Sequence, residues 1–336
     1  MKAARLYGPR DLRVEEVPVP RLRPEEVLVR VRATAICASD WRLYTEGHAG
    51  GVPLPHPIIQ GHEFAGEIAA LGEGTAGPPI GTRVAVEPSW HCGTCDLCQA
   101  GRTNICRNVV FPSFPPRDGA LAEYIACPAF SVCPLPENVS DIAGALTEPL
   151  GVALHAVRLA RLDPNEQVVL LGAGAIGICT LLVLRAHGAG RVAVAEPVAG
   201  RQEWPRRLGA TPIAASAREL LDAGFEADLV FECSGDNAAF EQALRLARPG
   251  GRVLVVGIPQ PERVFFDMSI ARRRELAVLF TRRSCNTLTE AVAMVAGGKA
   301  DLSPVSVRTF PLEQARAAME MTGSRPGDAL RAVVLP

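Results

Sequence analysis

Lysine is nearly absent from this chain of 336 residues: Lys2 and Lys299 stand against 33 arginines. Neither lysine belongs to a glycine-rich phosphate loop, which excludes a Walker P-loop and argues against Schiff-base chemistry. An excess of one charge is missing too, since 35 basic and 36 acidic residues leave a net charge of −1. Neither nucleic acid nor an anionic membrane is therefore an expected partner. Residues 1–19 hold no uninterrupted apolar core, being broken by Lys2, Arg5, Arg10, Asp11, Arg13, Glu15 and Glu16. That argues against a signal peptide and predicts a cytoplasmic address. The stretch 168–184 holds 17 residues in a row without a charge and lies at the lower limit for a membrane span. It divides into a strand-like run, a glycine cluster and a helix-like run, so strand, turn and buried helix are predicted there. No internal repeat and no low-complexity segment is seen.

What the chain does contain is apolar material and cysteine. Hydrophobic residues make up 48%, enough for sizeable cores, and the length suits two domains. The first third reads as short strands with many turns, with strand-like runs at residues 27–32, 61–71 and 81–86. After about Gly151 the texture changes. Strand-like runs at 168–171, 191–195, 227–231 and 252–256 alternate with helix-like segments at 176–187, 201–208 and 237–247. A further strand is predicted at 276–280, and the tail reads as helices at 287–297 and 312–321 with a strand at 305–310. Alternation of this kind predicts a parallel, doubly wound sheet.

Gly172-Ala173-Gly174-Ala175-Ile176-Gly177 follows one of those strands and opens a helix. Glu196 ends the next strand, 19 residues after Gly177, which is the spacing of a dinucleotide-binding unit. Glycines Gly172, Gly174 and Gly177 permit a tight turn and close approach to a pyrophosphate, and the helix N-terminus stabilises its charge. Glu196 would accept hydrogen bonds from ribose hydroxyls and repel a 2′-phosphate. NAD is therefore favoured over NADP, while Arg201 nearby keeps NADP open.

Ten cysteines are many for a chain of this size. In a reducing compartment clustered cysteines read as metal ligands rather than disulfides. Cys92, Cys95, Cys98 and Cys106 fall as C-x2-C-x2-C-x7-C, and four thiolates so close together match a closed, structural zinc site. Iron–sulfur proteins usually carry a proline after the last cysteine; here Arg107 follows. Nucleic-acid zinc ribbons show two separated pairs, which are absent. A looser set is Cys37, His62, Glu63 and Glu148. Each alone would be a packing residue, but together they offer a thiolate, an imidazole and carboxylates, the mixture of an open catalytic zinc site.

These stretches, together with Ile36 to Asp40, Gly61 to Gly66, Asp118 to Tyr124, Leu146 to Leu150, Phe231 to Gly235, Arg248 to Gly251 and Arg283 to Thr287, resemble the zinc-containing medium-chain dehydrogenases. The similarity lies with the sorbitol and polyol branch and runs in family order over nearly the whole chain. The resemblance implies an α/β protein: a mostly-β, GroES-like catalytic domain at 1–152, a Rossmann NAD-binding domain at 153–280, and a return to the catalytic domain at 281–336. It implies Cys37, His62 and Glu63 as ligands of a catalytic zinc, with Glu148 binding the metal or its water. It makes Ser39 the opening of a proton relay and Asp40 a support for the ligands. Gly172, Gly174, Ile176, Gly177, Glu196, Arg201, Cys233, Ile258 and Arg283 fall on the cofactor side.

The implied activity is hydride transfer between NAD and a secondary alcohol or ketone, probed first among polyols, sugar alcohols and cyclitols. L-threonine or 2,3-butanediol dehydrogenase, and an inactive NAD- and zinc-binding relative, stand as alternatives. The implied partners are a small alcohol or ketone and further copies of the chain, as homodimer or homotetramer. Three positions depart from the family pattern. Arg42 replaces a histidine that passes the proton outward, Ser284 replaces a tyrosine of polyol enzymes, and Ala38 replaces a frequent glycine. His48, His56, His91, His155 and His187 are read as surface or packing residues.

Overall fold

A computed structural model describes every residue except 50–51, 55–56, 260–262 and 325, so His56 lies outside the described residues. The chain forms two compact units. The first holds Met1–Glu148, Ser284–Gly298 and Ser306–Pro336, and the second holds Pro149–Arg283 and Lys299–Val305.

The first unit is mostly β. Its larger sheet centres on the strand Glu26–Ala35, which alternates apolar and polar residues and buries Val27, Val29 and Val31. Antiparallel neighbours are Glu63–Leu71, Tyr124–Pro128 and Arg331–Leu335, the last running parallel to Val307–Pro311. Arg83–Val86 and Val132–Pro134 extend the sheet beyond Glu63–Leu71. Phe64, Ile68, Val84, Val86 and Ile125 join the three valines in one core. A hairpin of Lys2–Gly8 and Asp11–Glu16 packs with the helices Ala38–Glu46 and Ala315–Ser324 around a second core that contains Leu6, Tyr44 and Met319.

The second unit is a six-stranded parallel sheet. Its spatial order is Ile213–Ala214, Arg191–Ala195, Gln167–Leu171, Ala227–Glu232, Ala247–Val255, Ala277–Phe280. Numbered along the chain, that order is 3-2-1-4-5-6, the doubly wound dinucleotide-binding topology. Gln167–Leu171 is buried nearly throughout, as a central strand covered on both faces must be. The uncharged run resolves into this strand, the glycine loop and the helix Ala175–Ala186. No described helix is long and apolar enough to cross a membrane.

Candidate metal and cofactor sites

Sheet register assembles the first site. Cys37 caps the helix Ala38–Glu46 just after the strand Glu26–Ala35, and that strand pairs Ala35 opposite Glu63. The residue before Glu63 is His62, so one pairing brings together three groups separated in sequence. The ligand atoms of Cys37, His62 and Glu63 lie within 4.8 Å of one another. Gly61 makes the turn possible. Its φ is +96°, and a Cβ there would stand 2.7 Å from the Thr34 methyl.

Supports surround the three. The Asp40 carboxylate turns back to accept a hydrogen bond from the Cys37 N–H at 2.9 Å, and it receives the Ser113 hydroxyl at 3.2 Å. Its Oδ1 also accepts from the Gly61 N–H at 3.4 Å and lies 3.3 Å from Nδ1 of His62 without the alignment of a hydrogen bond. Phe111 tilts against the His62 ring with centroids 5.0 Å apart. Arg331 Nη2 donates to Glu63 Oε1 at 2.7 Å, with the arginine 8% and the glutamate 1% exposed.

The electrostatics call for a cation. Burial pushes the Cys37 thiol up, but its hydrogen bond with His62 and the Arg331 charge outweigh burial and bring it down to about 6. Burial would lower His62, yet the adjacent Asp40 carboxylate and Cys37 hold it well above the usual histidine range. Glu63 is pushed up to about 8 by burial despite Arg331, and Glu148 to about 8 by burial and then by Glu63. A dicationic metal reverses such shifts. His62 Nδ1 and Glu63 Oε2 are buried and lack an aligned partner among the described residues. One thiolate, one imidazole and one carboxylate are a donor set that fits catalytic zinc. Glu148 stands outside the compact set of three, on the helix Asp141–Ala160, just before Pro149. Ser39 is half-buried in the first turn after Cys37, and Arg42 follows on the same helix.

Cys92, Cys95, Cys98 and Cys106 also converge. Cys106 Sγ lies 3.5 Å from Cys92 Sγ and 3.8 Å from Cys95 Sγ. A tetrahedron with metal–sulfur bonds of about 2.3 Å has edges of about 3.8 Å. The Cys92 and Asn108 N–H groups donate to Cys106 Sγ at 3.4 and 3.3 Å, which stabilises thiolate charge. The Thr94 hydroxyl and backbone N–H groups bring Cys92 down to about 5, whereas desolvation and its thiol neighbours push Cys98 up to about 12. Crowded thiols of this kind ionise together only around a cation, so this cluster too fits zinc.

In the second unit Gly172 has φ +93°, and a Cβ on Gly177 would lie 2.0 Å from the Gly172 carbonyl oxygen. Gly174 caps the helix that Ile176 and Gly177 begin. Glu196 is buried at the end of its strand, and its carboxylate accepts from the Ala173 N–H at 2.7 Å and the Val198 N–H at 2.8 Å. The acid is thereby bound to the glycine loop itself. Arg201 closes the turn Ala199–Arg201. Cys233 is buried beside Thr180, its thiol pushed up by burial. Ile258 is exposed, and its carbonyl oxygen packs so close to Gly235 that a Cβ there would stand 2.6 Å away. Arg283 has φ +56°.

Two supports escaped the sequence reading. Arg331 lies 268 residues from Glu63, and no local pattern joins them. Glu232, directly before Cys233, is buried and accepts from the Ser234 N–H at 2.7 Å and the Gly235 N–H at 3.0 Å. An apolar strand ending in an acid, just before a serine and a glycine, was the available signal. Tyr44 is fully buried with its hydroxyl on Glu320, and the Trp41 ring lies over Gly323.

A doubly wound glycine-loop unit in one chain with a β-rich unit carrying two metal-fitting clusters defines a metal- and dinucleotide-linked oxidoreductase. Comparison with known proteins gives the family. Residues 23–137 match the alcohol dehydrogenase GroES-like domain and residues 175–297 the zinc-binding dehydrogenase domain. The chain is 33% identical to the sorbitol dehydrogenase of Bacillus subtilis, over 100% of this chain and 97% of that one. A solved alcohol dehydrogenase of Escherichia coli CFT073 complexed with NADH superposes with a TM-score of 0.92 at 26% identity, covering 100% of this chain and 99% of that one. A zinc-binding dehydrogenase of Sinorhizobium meliloti bound to NADP gives 0.89 at 30% identity, with coverage of 100% and 99%. The chain belongs to the zinc-binding dehydrogenase family with a GroES-like domain, and it is an oxidoreductase.

Proposed function

We propose that this enzyme catalyses NAD-linked interconversion of a secondary alcohol and its ketone, with a polyol, sugar alcohol or cyclitol as substrate. The observation that carries the reading is the convergence of Cys37, His62 and Glu63 beside the buried Asp40. Cys37, His62 and Glu63 would hold zinc, which would supply positive charge to a substrate oxygen, and the glycine loop would hold NAD as the hydride acceptor. Ser39, two residues after Cys37, takes the hydroxyl proton. Asp40 and Phe111 fix the His62 ring, Arg331 holds Glu63, and Glu148 adds a carboxylate next to them. The four cysteines hold a second, structural zinc.

The polyol class is supported by the similarity to a sorbitol dehydrogenase over the full chain. Ser284 in place of the family's tyrosine argues for a substrate other than sorbitol. Glu196, bound to the glycine loop at the end of its strand, supports NAD. NADP is the second reading, supported by Arg201 and by the NADP-bound relative. The enzyme works as a homodimer or homotetramer in the cytoplasm, where clustered cysteines stay reduced.

Kinetics on a panel of polyols, amino alcohols and diols with both cofactors tests the proposal, together with metal analysis. The expected result is zinc in the protein and higher kcat/KM with NAD on a polyol; a preference for NADP reverses the cofactor assignment. Cys37→Ser should remove turnover while NADH binding and the melting temperature hold. Retained turnover would refute the catalytic metal assignment.

A further inference from the structure

Gln60 stands two residues before His62, and its fully buried side-chain amide is only half used. Nε2 donates to the main-chain carbonyl of Asp40 at 2.9 Å, whereas Oε1 is buried without a donor among the described residues. An unmet amide oxygen in the interior costs free energy that an apolar side chain of the same length avoids. Stability alone therefore does not account for a glutamine at this position. The half that is used has a definite place. It joins the first turn of the helix that Cys37 opens to the segment that leads into His62 and Glu63.

Each side of this join is held by its own neighbours, all within one compact unit. On the segment side, the Ile59 N–H donates to the Asp118 carboxylate at 2.9 Å. The Gly119 and Leu121 N–H groups donate to the carbonyls of Ile59 and Gln60 at 2.7 and 2.8 Å. A Cβ on Gly119 would stand 2.5 Å from the Gln60 carbonyl oxygen, so these two stretches already lie as close as their backbones allow. On the helix side, the bond from the Cys37 N–H to the Asp40 carboxylate fixes the cap to its first turn. What is left to set is the separation of the two sides. The Gln60 amide spans it at 2.9 Å, and the Gly61 N–H, donating to Asp40 Oδ1, spans it at a looser 3.4 Å. We infer that Gln60 is a positioning residue for a metal: through the Asp40 main chain it sets the distance between the Cys37 thiolate and the His62 ring. The inference rests on the reading that Cys37, His62 and Glu63 hold zinc, whose affinity depends on ligand placement fixed by contacts outside the ligands themselves.

In the test, full-length protein is loaded with zinc, and the zinc it retains is measured against a competing chelator. Cys37→Ser identifies the zinc of this site as the one that variant lacks. Gln60→Met keeps the length of the side chain without its polar amide. It should weaken binding of that zinc by about tenfold, the scale of contacts that orient metal ligands, and leave the four-cysteine zinc at its wild-type affinity. Gln60→Asn carries the same amide one methylene short of Asp40. It should weaken the same zinc, and it serves as the second probe where Gln60→Met does not fold. The positioning role is overturned if the folded variants bind this zinc with wild-type affinity. It is overturned equally if both zinc sites weaken together, as in a general loosening of the unit. If Cys37→Ser holds as much zinc as wild type, it is the zinc reading that fails, and the inference falls with it.

Discussion

Arg331 and Glu63 form an ion pair that surrounds itself with protein on every side, and its value depends on remaining a pair. Removing one partner from a buried pair costs about 3–5 kcal/mol, because the other is left as an uncompensated buried charge. Above pH 8, where Glu63 is ionised, Arg331→Leu should therefore lower the urea-unfolding free energy of chelator-treated protein by about that amount. At lower pH, where the buried acid holds its proton, the loss should be smaller. Zinc at the proposed site would give Glu63 a second cationic neighbour, so the loss should shrink in zinc-loaded protein. Equal losses with and without metal would show that Arg331 does not share the Glu63 charge with a metal. Arg331→Lys keeps the charge without the planar fork and should recover part of the stability. At this scale the grouping of Cys37, His62 and Glu63 was legible only through the family resemblance, since each of them alone reads as a packing residue. Arg331 was not, because its partner is reached by strand pairing across 268 residues, a distance that no local pattern encodes.

At the scale of elements, the glycine loop and the cysteine loop are held by different physics. The glycine loop depends on missing atoms: a Cβ at Gly177 would need the space that the Gly172 carbonyl occupies. Gly177→Ala forces the turn apart and should raise the NADH Kd by about tenfold or more, consistent with overpacking costs of a few kcal/mol. An unchanged Kd would mean that the loop can rearrange without involving the cofactor. The cysteine loop carries a four-residue helix, Asp96–Gln99, with no buried residue, and a 3-10 turn, Thr103–Ile105, that buries only Asn104. Its order rests on surface pairs such as Arg107 with Asp96, on the bonds from Gly101 and Thr103 to Cys285 and Asn286, and, on the proposed reading, on a metal. Cys98→Ser opens the shell and should lower the melting temperature by roughly 5 °C or more, with faster proteolysis between residues 92 and 107. A wild-type melting temperature would remove the structural role. Both loops were legible because their chemistry is local and their spacing is fixed. Less was visible of the N-terminal hairpin Lys2–Gly8 with Asp11–Glu16, whose strands are rich in charge, and of Ile213–Ala214, whose two residues carry no period.

For the whole molecule the sheet of the second unit raises a question of closure. Ala277–Phe280 ends the six-stranded order, pairing only with Ala247–Val255 among the described residues. An edge strand presents unpaired N–H and C=O groups, and proteins protect such edges with charge, proline, bulges or another chain. Here the strand is uncharged, carries no proline and ends in Phe280, 67% exposed, and the same unit leaves Phe265 92% exposed. An exposed Phe280 at the end of an open edge suits an isologous contact between two copies, in which the strand meets its own symmetry mate. The oligomer expected of this enzyme should form there. Sedimentation velocity should give a dimer or tetramer of the 35.7 kDa chain. Phe280→Lys places a like charge on both sides of such an interface and should shift the mass toward the monomer while far-UV circular dichroism is unchanged. If the variant sediments with wild type, the copies meet elsewhere and the edge is protected by other means.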